Sequence, residues 1–187
     1  MTASPARMSS GRSLRRRANV LAAALVFAGS ASLAQTGSPD LPITAAAARA
    51  VGMKRCLSAI AAVSGRVTAG ATHADVIADW DRTSPDSAAF FSLTGVEFGP
   101  RTAALSLTTA PEQSGGCSVL AERISGAPIP CEKVAQTELQ GYESHKLLAT
   151  ITVYSNPKVP RETVTLVSTP PGCLLIRRQV QFGWPPS

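Results

Sequence analysis

Four cysteines, Cys56, Cys117, Cys131 and Cys173, constrain what this chain can fold into more than any other feature. Their number is even, and no two are spaced as C-x-x-C, so neither a thioredoxin-like redox centre nor a zinc knuckle is indicated. In an exported chain such a set reads as two disulfides, for which three connectivities exist. Gly116-Cys117-Ser118-Val119-Leu120 resembles Gly172-Cys173-Leu174-Leu175-Ile176, and each follows a turn and opens a strand. That similarity favours joining Cys117 to Cys173 at one sheet edge, which leaves Cys56 with Cys131 between two helices. In the chain-entropy view, bridges closing loops of this length are worth about 3–4 kcal/mol each.

Oxidation presupposes export, and the N-terminus carries the pattern for it. Residues 1–17 are basic and end in Arg15-Arg16-Arg17; residues 18–34 are an Ala- and Leu-rich run closing on Ser32-Leu33-Ala34. Small residues at the third and first places before Gln35 are what a signal peptidase reads, so residues 1–34 are expected to be a cleaved signal peptide. The apolar run is shorter than the roughly 20 residues of a spanning helix, and no stable membrane span is expected after cleavage. A periplasmic or secreted location follows.

The charge balance agrees. The chain of 187 residues has 18 Lys+Arg against 12 Asp+Glu. The five arginines Arg7, Arg12, Arg15, Arg16 and Arg17 lie in the first 34 residues, which hold no acid, so the remainder has 13 basic and 12 acidic residues. A net charge of +1 does not make a polycationic groove, and nucleic acid is excluded as a partner class.

Residues 35–42 read as a short polar leader and residues 43–187 as one α+β domain. Met53, Cys56, Leu57, Ile60 and Val63 form one apolar stripe, which predicts a long helix from residue 43 to Val63. Thr72-His73-Ala74-Asp75 reads as a capping sequence opening a second helix to Trp80. Strands are expected around Phe91–Phe98, with an irregularity at Gly95, around Ala103–Thr108 and over residues 117–124. A short middle helix should cover residues 131–140. Three further strands should follow at residues 146–154, 162–168 and 173–182. The links between strands are too short for crossover helices, so the expected fold is a helix packed on antiparallel sheet of about six strands.

Candidate chemistry is sparse. His73, Asp75, Asp79 and Asp81 gather polar groups, but acids at a helix start need no metal, and the run from Asp79 lacks the glycine of a calcium loop. Glu143-Ser144-His145 has the residue types of a nucleophilic triad, yet neighbours on a strand point to opposite faces. No nucleotide-binding glycine motif occurs, and neither catalytic nor metal-ligating residues nor a cofactor are assigned. Arg178, by parity with Leu174, Ile176, Val180 and Phe182, is a candidate anion contact. Trp184, among the final prolines, either folds back on the sheet or stands out as a contact. These residues, with His73 and Asp75, are the binding candidates. The leading expectation is a non-catalytic exported protein that binds another protein or envelope component. The alternatives are a small envelope hydrolase using carboxylates or His73 with Asp75, and a periplasmic enzyme inhibitor.

Overall fold

The structure, a computed structural model, describes residues 41–185. The expected signal peptide, and the leader up to residue 40, lie outside the described residues. Within them the order is α1 (Ile43–Ala50), α2 (Leu57–Thr68), β1 (His73–Trp80), β2 (Phe90–Phe98), β3 (Arg101–Pro111), β4 (Cys117–Ala127), α3 (Cys131–Glu138), β5 (Glu143–Leu148), β6 (Ile151–Ser155), β7 (Glu162–Thr169) and β8 (Gly172–Trp184). The strands make one antiparallel sheet in the order β1-β2-β3-β4-β8-β7-β6-β5. The α+β antiparallel fold with two disulfides is as expected, with eight strands in place of about six.

The long first helix is two. Gly52 takes a left-handed φ of +96°, which breaks the run after α1. Asp86 then accepts hydrogen bonds from the backbone N–H groups of Lys54 (2.6 Å) and Arg55 (2.8 Å), just before α2 begins. The capping sequence at Thr72–Asp75 does not open a helix; residues 73–80 are β1. Ala74, Val76, Ala78 and Trp80 alternate there with the more exposed His73, Asp75, Ile77 and Asp79, a period of two that fits a strand beside β2. The expected strand at residues 146–154 is a hairpin, β5 and β6, turning at Ala149 and Thr150. β2 runs through Gly95 in unbroken register with both neighbours.

The disulfides also differ from the favoured pairing. They join Cys56 to Cys117 and Cys131 to Cys173. Each ties the start of a helix, α2 or α3, to the start of a strand, β4 or β8. Cys117 and Cys173 lie near opposite ends of the central strand pair, opposite Trp184 and Ala127, so they are not neighbours. The likeness of their contexts marks equivalent positions in two halves, not a contact.

Those halves repeat one plan: helix, then four antiparallel strands, with the last strands paired at the centre. Glu122 lies five residues after Cys117 and Arg178 five after Cys173, and these two face each other across β4 and β8. An approximate two-fold axis therefore passes between them. A Cβ at Gly116 would stand 2.8 Å from the Trp184 carbonyl oxygen, and one at Gly172 would stand 2.7 Å from that of Ala127. Both junctions thus require the same close backbone approach.

The three helices among the described residues lie on one face of the sheet. Val119 and Ala121 of β4 are buried under α2, while Cys173 and Leu175 of β8 are buried under α3. The register puts Val119, Ala121, Leu175 and Cys173 on the same side, since directly opposed residues share a face. Phe90, Leu105 and Leu107 complete the first core with Ile60, and Val164 and Leu166 complete the second with Val134 and Leu139. Thr44 and Thr94, both fully buried, share a 2.7 Å hydrogen bond that fastens α1 to β2.

Candidate functional site

None of the described helices covers the opposite face of the sheet. Its residues are those of opposite parity, and several are large and apolar: Ile77 is 69% exposed, Phe91 50%, Leu93 43%, Phe182 64% and Leu148 61%. Half-buried Leu120, Ile124, Ile176 and Val180 add apolar surface on the central strands. Exposed apolar residues are ordinary one by one, but so many on one sheet face mark a contact surface, here in two apolar groups with Ser106 and Thr108 of β3 between them.

Its charges are mostly acidic. Asp75 and Asp79 of β1, Glu97 of β2 and Glu143 of β5 are exposed on this side. Arg178 stands at the centre, where Glu122 lies 3.6 Å from it, and Arg178 is half exposed. So Arg178 shares a face with Leu174, Ile176 and Val180, as parity implied, and has an acidic neighbour there.

His73 and Asp75 lie on the same open side, on an edge strand rather than at a helix start, and His73 faces Glu97 across the β1–β2 ladder. Both are exposed. Ser144 projects to the helix-bearing side, opposite Tyr154, while Glu143 and His145 project to the open side, so the three do not converge. Trp184 folds back: it pairs with Cys117 at the end of β4 and packs against the first core. Among the described residues no group of three or more His, Cys, Asp or Glu side chains is placed to hold a metal. None of the described helices is long and apolar enough to cross a membrane.

The pattern reading did not identify the open face because both parities of β2 carry apolar groups. Phe90 and Val96 point inward with Ser92 and Thr94, and Phe91 and Leu93 point outward. The buried parity thus holds two hydroxyl residues and the exposed one holds Phe and Leu. Only the placement of α1 and α2 distinguishes them.

On the helix-bearing side a cleft of about 870 Å3 lies between the β2–β3 turn, the ends of β4 and β8, and α3. Its lining includes Phe98, Arg101, Arg123, Ser125, Leu175 and Arg177. Arg123 and Arg177 are directly opposed on β4 and β8. Arg177 Nη2 donates to Glu138 Oε2 of α3 at 2.7 Å, and the Arg123 guanidinium stands 5.6 Å from the Phe98 ring centre.

Comparison with protein families, with curated proteins and with solved structures finds no match to this chain. The two disulfides suit an oxidising, extracellular type of environment.

Proposed function

We propose that this is an exported, non-catalytic binding protein, released by cleavage after Ala34 into the periplasm or medium, whose open sheet face docks a protein partner. The uncovered apolar face around Ile77, Phe91, Leu93 and Phe182 carries this reading. Eight strands spaced about 4.8 Å apart span about 38 Å, and some 20 Å of strand length gives roughly 800 Å2. That is the share each partner contributes to a standard protein interface.

Charge selects the occupant. Asp75, Asp79, Glu97 and Glu143 would meet their own kind if a second copy stacked on this face, and juxtaposed like charges disfavour that pairing. The fitting partner presents an apolar patch bordered by Lys or Arg. An inhibitor of a basic envelope enzyme is one form of this reading. The hydrolase alternative gains no support, because His73, Asp75 and Asp79 stand exposed on an edge strand rather than in a concave pocket.

The test places a photo-crosslinking residue at Phe91 and, as control, at the exposed Arg49 of α1, in cells that export the chain. The expected result is one adduct at position 91 to a basic protein, absent at position 49 and lost on Ile77→Asp with an unchanged melting temperature. A cross-linked homodimer, or the same adducts at both positions, overturns the proposal. Intact mass of the exported form, expected to begin at Gln35 with no free thiol, checks the export part.

A further inference from the structure

Directly opposed residues on one face of an antiparallel pair have Cβ atoms about 4.5–5.5 Å apart, and like charges placed there destabilise the sheet. Arg123 and Arg177 are such a pair, next to the sheet's approximate two-fold axis. A structural role for one arginine is accounted for: Arg177 is held by Glu138. The second is not. Among the described residues Arg123 has no acidic partner within 4.0 Å, and its guanidinium lies against the face of Phe98. Arg101, on the same cleft wall, likewise has no acidic partner there.

A separate, smaller cavity of about 150 Å3 shares Arg123 and Arg177 in its lining and reaches Arg66 of α2 and Glu162 of β7. Together the two linings hold Arg66, Arg101, Arg123, Arg177 and Arg178 against Glu138 and Glu162, an excess of three arginines. Between the charges the walls mix apolar Phe98, Pro100, Pro128 and Leu175 with polar Thr102 and Ser125. A cleft of about 870 Å3 is within the usual range of small-molecule sites, which pair apolar walls with a few convergent polar groups. Guanidinium groups match the paired oxygens of a carboxylate or phosphate, and Arg123 and Arg177 rise into this cleft from directly opposed positions on β4 and β8.

We propose that this cleft binds a small organic anion, whose carboxylate or phosphate group is held between Arg123 and Arg177 and whose apolar body lies against Phe98 and Leu175. The anion relieves the repulsion between the two arginines, and Glu138 competes with it for Arg177. This site lies on the opposite side of the sheet from the docking face and does not rest on that reading.

Calorimetric titration of the oxidised protein at low salt tests it, with phenyl phosphate and phenylacetate as probes and benzyl alcohol as the neutral control. At least one anion should bind saturably in the micromolar to millimolar range, benzyl alcohol should not, and the better anion identifies the headgroup. Arg123→Gln should weaken binding at least tenfold. Glu138→Gln should tighten it severalfold, a gain that mere damage to the fold would not produce. Absence of saturable binding up to about 10 mM, equal binding of benzyl alcohol, or affinities unchanged in both variants overturns the proposal.

Discussion

Glu112 shows how one partly exposed side chain can tie the start of β4 to the end of β8. Its Oε1 accepts the Gly183 backbone N–H at 2.9 Å and the Ser118 hydroxyl at 2.7 Å, and its Oε2 accepts from Ser114 at 3.3 Å. The Gly183 bond, then that of Ser118, holds the carboxyl below the ordinary carboxylate range. A depressed folded-state pKa contributes stability that is present above the unfolded value and is lost as pH falls through the folded one. Glu112→Gln should therefore lower the melting temperature at pH 7, and the gap from the parent protein should close as the pH drops below the carboxylate range. A gap independent of pH in thermal melts would exclude this role. Thr109 presents the opposite case. It is fully buried opposite Phe90, and its hydroxyl has no hydrogen-bond partner among the described residues. Thr109→Val keeps the shape and removes the unsatisfied group, so denaturant titration should give a change between nil and about 1–2 kcal/mol in favour of the variant.

At the scale of elements, clear boundaries decided what was legible in the sequence. α3, β3, β7 and β8 were legible because one apolar period and a clear turn bounded each. β1 was not, because His73-Ala74-Asp75 imitates a cap while the alternation behind it involves small residues. The α1–α2 break was also hidden: an Ala-rich run has high helix propensity throughout, and the stop depends on Gly52 and on Asp86, which is 32 residues beyond Lys54. Asp86→Ala should cost about 1–2 kcal/mol by removing two charge-assisted bonds to backbone N–H groups. Hydrogen exchange should localise the loss to the turn and the first residues of α2. Uniform protection across α2 in the variant would contradict it.

For the whole molecule, the approximate two-fold arrangement makes Gly116 and Gly172 equivalent. Ala at either should cost about 1–3 kcal/mol, since the methyl meets a backbone carbonyl oxygen that cannot step aside. Similar losses in the two variants, measured by chemical denaturation, are expected; a neutral result at both would remove the close approach as a constraint. Composition and local periodicity sufficed for the α+β class, the antiparallel links and the presence of two disulfides, because these depend on neighbours within a few residues. Which cysteines meet, which face of β2 the helices cover, and that Arg123 confronts Arg177 were settled by strand order and register. Those are contacts between segments tens of residues apart, and a one-dimensional pattern carries no term for them.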